Sequence, residues 1–383
     1  MNNSSSKKNL AIFFSILLLI FSSCSRKTED KQVFTFHPKI NVVNKQVKFN
    51  DVVEDYKYIK LETNENCLIG KINQVLIYKE KIFILTEEIY CFNMDGKFLY
   101  SINKKGKGPT EFIRIYNFSI DKDMIYLNSP RKIVCYDCNT GEFVKYYNLN
   151  IGARKLGVVG NNLYIDVLLI KSQTNKGRIF ISNIDNQNSI KALFHEKKYE
   201  LSVQNQFIGF NNNFYFIDPF LNQVYKIYDE KVESYIFFDF GDKNPTEAEN
   251  ATRLANRSLI KNFSSKARQL ENVYETPDFI MANIIVGSDG LVILYDKKSE
   301  KSITWTYKSF ICEPYQIFIA EPHAVSEDYF CSVLSAVNYN KQTVKNSVIP
   351  EPSNPEFKKY SLMMNTDSQD NPIIALYKFK KLK

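Results

Sequence analysis

The stretch KIFILTEEIYCFNMDGKFLY, residues 81–100, contains three short apolar runs and one tight turn. Ile82-Phe83-Ile84 is followed by Ile89-Tyr90-Cys91-Phe92 and then by Phe98-Leu99-Tyr100. Each run is too short for a helix and is built of residues that favour a pleated, half-buried surface. Asn93-Met94-Asp95-Gly96 separates the last two runs, and its glycine accepts the positive φ that hairpin turns require. The unit is strand, strand, turn, strand.

The same unit returns along the chain. Runs like Ile82-Phe83-Ile84 recur at Ile125-Tyr126-Leu127, Leu163-Tyr164-Ile165, Phe214-Tyr215-Phe216, Val292-Ile293-Leu294 and Tyr329-Phe330-Cys331. Their spacings are 43, 38, 51, 78 and 37 residues. Four of the five lie near the roughly 40 to 50 residues of one four-stranded propeller blade. Hairpin chemistry follows two of them, at Asp137 to Gly141 and at Asp229-Glu230-Lys231. Each unit leaves an apolar face that only a neighbour can cover, so the pattern predicts an all-β, six-bladed β-propeller.

The 78-residue gap holds a helical insertion at about residues 244–272. Asn244 is suited to cap, Pro245 to the first helical position, and Glu247 falls three residues after the cap. Ala248, Ala251, Ala255, Leu259 and Phe263 recur at helical spacing, while Arg253, Arg257, Lys261, Lys266 and Arg268 take other positions. Such a helix packs on the rim, or serves as a docking element over one face.

Composition agrees with the fold. Of 383 residues, 14% are aromatic, with 24 Tyr and 29 Phe against one Trp. The formal net charge is +8, with basic residues spread along the chain. No nucleic-acid recognition motif accompanies that charge, so a nucleic-acid partner is not expected.

The N-terminus reads as an export signal. Lys7 and Lys8 precede an apolar run from Leu10 to Phe21, which ends in Phe21-Ser22-Ser23-Cys24. A run of about 12 residues falls short of the roughly 20 that span a bilayer as a helix. The order of basic, apolar, small and cysteine residues predicts a lipoprotein signal peptide over 1–23, with Cys24 acylated. Residues 24–32 then form a lipidated tether, and 33–383 the propeller. This places the protein in the cell envelope, on the periplasmic or surface face of the outer membrane, held by lipid on Cys24.

Seven cysteines occur, at 24, 67, 91, 135, 138, 312 and 331. Cys91, Cys135 and Cys331 lie in apolar strand-like runs, where a thiol packs as a small hydrophobe. Cys135 and Cys138 have the spacing of zinc and redox pairs, but no second pair follows. The expectation is buried, reduced thiols.

Longer segments carry a family resemblance. They are Asn64 to Gly70, Gly106-Lys107-Gly108-Pro109-Thr110-Glu111-Phe112, Tyr274 to Ile280 and the closing Asp370-Asn371-Pro372-Ile373 to Lys380. Together they resemble a family of six-bladed β-propeller lipoproteins of Gram-negative bacteria. The family commonly has Gly where Thr110 stands here. The resemblance implies that a strand near the N-terminus, Tyr56 to Leu61, pairs with the terminal strand Ile373 to Lys378 in one blade. It supplies no catalytic residues.

The chain offers little chemistry of its own. Gly106-Lys107-Gly108-Pro109 has the glycines of a phosphate cradle but lacks the Gly-Lys-Ser/Thr ending and the helix that follows one. It reads as a tight connection between blades, with Glu111 bonded to nearby backbone, or as a ligand contact. No Gly-x-Ser-x-Gly elbow occurs. His37, His195 and His323 are scattered, and no catalytic residue, metal site or cofactor is assigned. The candidate ligand-binding residues are Gly106, Gly108, Glu111, Arg253 and Arg257. The function expected is a membrane-anchored binding or scaffolding module for a protein, peptide or glycan partner. The alternative is an envelope hydrolase or lyase with its site at the mouth of the central channel.

Overall fold

The computed structural model describes residues 34–42, 46–149, 151–167, 177–186, 190–195, 207–210, 213–218, 221–228, 230–255, 265–306, 310–311, 322–338, 351–353, 357, 361–362 and 364–383. Its strands form six antiparallel sheets of four, plus one short parallel pair, Val47–Lys48 with Phe310–Ile311. The sheets are the six blades of a β-propeller.

Blade 1 comprises Gln74–Tyr78, Lys81–Leu85, Ile89–Asn93 and Phe98–Ile102. Blade 2 comprises Asn117–Asp121, Met124–Ser129, Lys132–Asp137 and Phe143–Asn148. Blade 3 comprises Ala153–Val159, Asn162–Val167, Gly177–Asn183 and Lys191–His195. Blade 4 comprises Phe207–Phe210, Asn213–Asp218, Gln223–Tyr228 and Lys231–Phe237. Blade 5 comprises Ala267–Glu275, Phe279–Val286, Asp289–Asp296 and Lys301–Thr306. Blade 6 takes Ala324–Ser326, Tyr329–Leu334 and Ile373–Phe379 from the end of the chain and Val53–Lys60 from its beginning.

The ring closes where the resemblance implied. Val53–Lys60 runs antiparallel to Ile373–Phe379, with Tyr56 opposite Tyr377 and Tyr58 opposite Ala375. Asn371 fastens this seam. Its Nδ2 donates to the carbonyls of Glu62 and Cys67, both at 2.6 Å, and its Oδ1 accepts from Ile69 N at 2.8 Å.

Apolar side chains bury at every blade-to-blade contact. Ile59, Val75 and Ile374 share a cluster between blades 6 and 1, and Phe83, Phe118 and Val134 share one between blades 1 and 2. Ile133 with Leu163, Tyr164 with Phe214, Tyr215 with Ile293, and Trp305 with Phe330 mark the remaining four. Between blades 3 and 4, Gly157 makes room for a neighbour, since a Cβ there would lie 1.8 Å from the Phe214 ring.

The first strand of each blade is the inner one. Gln74 Nε2 donates to Phe118 O at 2.9 Å, and its Oε1 accepts from Phe118 N at 3.1 Å. Asn117 repeats the device one blade on, with its Nδ2 to Leu156 O at 2.7 Å and its Oδ1 from Leu156 N at 3.0 Å. Side-chain amides thus satisfy an inner edge that would otherwise present unpaired backbone.

Two expectations change in detail. Five of the six repeat markers fall on the second strand of a blade, but Val292 falls on the third strand of blade 5. The second strand there is Phe279–Val286, equally apolar and fully buried along most of its length. The insertion is helical over Glu247–Ala255, and a strand already begins at Ala267. Thr246, not Asn244, caps this helix. Thr246 Oγ1 accepts from Glu249 N, and Glu249 Oε2 accepts from Thr246 N, which is a capping box. Asn244 instead closes the preceding turn through Phe240 N and Asp239 Oδ1.

Residues 1–33, with the expected signal peptide, Cys24 and the tether, lie outside the described residues. Cys67, Cys91, Cys135, Cys138 and Cys331 are buried and free. Burial pushes the thiols of Cys135, Cys138 and Cys331 up to about 12.

Candidate binding face

The two ends of the blades differ. At one end, the first and second strands are joined by tight turns. Lys79 and Glu80 in blade 1, and Lys122 and Asp123 in blade 2, take positive φ of 44°, 60°, 47° and 61°. These are the left-handed pairs that two-residue hairpins require. At the other end, inner strands begin and outer strands finish, so the described connections from one blade to the next lie there. This end carries the segments 61–73, 103–116 and 238–255, including the helix Glu247–Ala255. It is the loop-bearing face.

That face exposes apolar surface. Seven large hydrophobic residues are exposed among the described residues. Leu68, Ile113, Tyr116 and Val337 lie in its loops, whereas Leu99, Val144 and Tyr146 lie on outer strands. Exposed apolar residues in loops held by a rigid scaffold are what binding surfaces use.

Gly106, Gly108 and Glu111 come together in the connection 103–116. Glu111 Oε2 accepts from Gly108 N at 2.8 Å. A Cβ on Gly106 would lie 1.9 Å from that carboxylate oxygen, so the glycine leaves the space into which the Glu111 side chain folds back. Lys132, at the start of the third strand of blade 2, clamps the loop. Its Nζ donates to Gly108 O at 2.7 Å and Glu111 O at 2.8 Å. Burial lowers the Lys132 pKa, and the Glu111 charge opposes the shift. Tyr136 OH donates to Thr110 O at 2.8 Å, and Phe112 is buried beneath.

Arg253 lies on the helix that leads into blade 5, three blades around from this loop. Arg257 and Cys24 are outside the described residues. The structure therefore brings three of the five candidate ligand contacts together and sets Arg253 apart.

Sequence reasoning missed a group of polar residues on the first and second strands of blades 2 and 3. Asn128 Nδ2 donates to Asn117 Oδ1 at 2.9 Å. In blade 3, Arg154 Nε donates to Asp166 Oδ2 at 2.8 Å, and a second guanidinium nitrogen bonds the same oxygen. Lys155 stands opposite Asp166 in register. Burial, aided by the charge of Arg154, lowers the Lys155 pKa to about 8. The only hint in sequence was a charged residue inside an apolar strand run, Leu163-Tyr164-Ile165-Asp166.

The histidines do not converge. His37 lies on the outer rim beside blade 4, with its Nε2 3.6 Å from Asp239 Oδ2. His195 ends the outer strand of blade 3, and His323 precedes the inner strand of blade 6. Among the described residues, no group of His, Cys, Asp or Glu is arranged to hold a metal ion.

In solved structures, the chain is similar to a Bacteroides fragilis protein assigned as exported. Sequence identity is 18% and the TM-score 0.73, over 90% of this chain and 99% of that one. It is less similar to the extracellular domain of BT4673, assigned as a one-component system of Bacteroides thetaiotaomicron. There the identity is 12% and the TM-score 0.36, over 66% of this chain and 29% of that one. The first likeness shows the propeller fold. No curated protein matches the chain. Residues 33–378 match the model of the family described as Domain of unknown function (DUF4934), and the chain belongs to that family.

Proposed function

We propose that the protein is a lipid-anchored envelope lipoprotein whose propeller binds a partner through its loop-bearing face. In this reading residues 1–23 are removed, Cys24 carries the lipid and 24–32 form the tether. The partner is another envelope protein, a peptide or a glycan. A single observation carries the reading. Long connections and four of the seven large hydrophobics exposed among the described residues share one face, while at the opposite face blades 1 and 2 carry two-residue turns.

Site-specific photo-crosslinking in intact envelopes tests it. A benzophenone side chain at Leu68 or Ile113 should give discrete crosslinked products. The same group at Lys122, in a tight turn of the opposite face, should give none. Equal crosslinking from both faces would remove the basis for a binding face.

A further inference from the structure

We propose that the connection 103–116 between blades 1 and 2 is a preformed docking loop for an acidic peptide segment of a partner protein. The proposal rests on the loop-bearing face being the binding face and adds the chemistry of what binds there.

The loop is rigid in its middle and cationic at its tips. Gly106 N donates to Phe112 O, and Phe112 N to Lys104 O, both at 3.0 Å. With the Lys132 clamp and the Tyr136 bond, this leaves few backbone groups free to rearrange on binding, which lowers the entropic cost of association. The one acidic residue of the segment, Glu111, spends its carboxylate on Gly108 N. Lys105 is paired with Glu87 at 2.5 Å. Lys104, Lys107 and Arg114 are exposed and have no acidic partner among the described residues.

Neighbouring segments extend the charge. Asn73 Nδ2 donates to Thr86 O at 2.7 Å, and Lys105 reaches Glu87, so the segments 61–73, 86–88 and 103–116 adjoin. Lys71 adds an exposed cation, and Arg131 adds another from the turn just before the clamping Lys132. Arg131 is held at φ 56°, a left-handed conformation uncommon for arginine. Of the exposed acids in these adjoining segments, Glu62 accepts from Asn64 Nδ2 and Phe98 N and Glu87 pairs with Lys105, which leaves Glu65. Arg114 stands between the exposed Ile113 and Tyr116 in a loop that also carries Lys104 and Lys107, so a partner with carboxylates beside apolar side chains complements both features.

A sugar is served less well. Glycan platforms need open ring faces. Tyr116 has the Arg114 guanidinium 4.4 Å from its ring centroid, and Tyr146 has Lys132 Nζ at 4.9 Å. Those are the two tyrosines among the exposed large hydrophobics, and a cation covers one face of each.

The test uses the full chain in non-ionic detergent and a fluorescein-labelled peptide of Glu and Asp with one Leu and one Phe, read by anisotropy. The wild-type protein should bind it, and binding should weaken as salt is raised. The variant Lys104→Glu/Lys107→Glu/Arg114→Glu should bind about tenfold more weakly or worse. The variant Lys122→Glu/Lys231→Glu/Lys301→Glu makes the same charge change at the opposite face and should bind within about twofold of wild type. Tyr116→Ala, which keeps the charge, should also weaken binding, and it carries the test if the loop variant fails to fold. Equal loss in both triple variants, no peptide binding by the wild type, or binding of polygalacturonate in place of the peptide would each overturn the proposal. Crosslinks from Ile113 that persist alongside such a result would leave the binding face standing and remove only its assignment to acidic peptides.

Discussion

Asp166 is fully buried and receives two bonds from Arg154, whose side chain is 16% exposed. A buried charge is tolerated only when an opposite charge and hydrogen bonds replace its hydration. The pair sits on adjacent strands of blade 3, beside the lowered Lys155, where a lone cation would be costly. Removing the carboxylate takes from Arg154 the buried charge that two of its nitrogens bond. Asp166→Asn should therefore destabilise the fold by about 3–5 kcal/mol. Asp123→Asn breaks a Lys79 contact whose side chains are 62% and 40% exposed, and it should leave the unfolding midpoint where it was. Urea denaturation of the two variants compares them directly. Equal midpoints would mean that the Arg154–Asp166 pair is not buried in solution.

At the scale of the elements, blade 6 depends most on the two ends of the chain. Its third strand, Ile373–Phe379, stands between Val53–Lys60 and Tyr329–Leu334. Ile373 and Ile374 are fully buried, and Tyr377 and Phe379 are nearly so. Each such side chain contributes roughly 2–5 kcal/mol, against a total stability of about 5–15 kcal/mol. Deleting residues 372–383 removes all four and leaves both neighbouring strands with a bare edge. The truncated chain should show no cooperative thermal transition by circular dichroism, and a melt at the wild-type temperature would contradict the closure. This strand was legible through the family resemblance, whose closing segment Asp370-Asn371-Pro372-Ile373 to Lys380 implied the pairing with Tyr56 to Leu61. The hairpin at Asn93 to Gly96 was legible because its signal is local, a glycine that does take a φ of 82°. Position within a blade was harder. The third strand around Val292 is as apolar as the second around Met281, so periodicity alone could not tell them apart. The helix start was misplaced because Asn244 and Thr246 are both good caps, and only the fold spends Asn244 on Asp239. The amide stitches of Gln74 and Asn117 join residues about forty apart and left no mark in the sequence. The clamp of Lys132 on Gly108 and Glu111 was hidden too, so the loop's glycines were visible while its rigidity was not.

At the scale of the whole molecule, the folded unit begins before its first blade strand. Residues 34–41 run as a strap along the outer edges of blades 4 and 5. Phe36 N donates to Tyr235 O at 2.8 Å, Phe237 N to Phe36 O at 3.0 Å, and Ile40 N to Asp239 O at 2.7 Å. Thr304 Oγ1 then donates to Asn41 O at 2.9 Å. The Phe36 ring packs edge-on against Tyr235 and Tyr295, with Lys297 Nζ 5.7 Å from its centroid. Lys297 also bonds Glu275, which accepts from Tyr215 and Tyr235, so the strap is tied to a buried polar network between the two blades. The strap runs parallel to Lys231–Phe237, toward the loop-bearing face, so Phe34 lies on the side of the tight turns. Because the strap's bonds start at Phe36, anchoring and folding should be separable. Cys24→Ala should leave the melting temperature unchanged. The same variant should move the protein from the membrane pellet to the soluble fraction, since the lipid chains on Cys24 are the only stable membrane attachment in this reading. Protein that melts normally yet still pellets with membranes after a high-salt wash would show that something other than Cys24 holds it there.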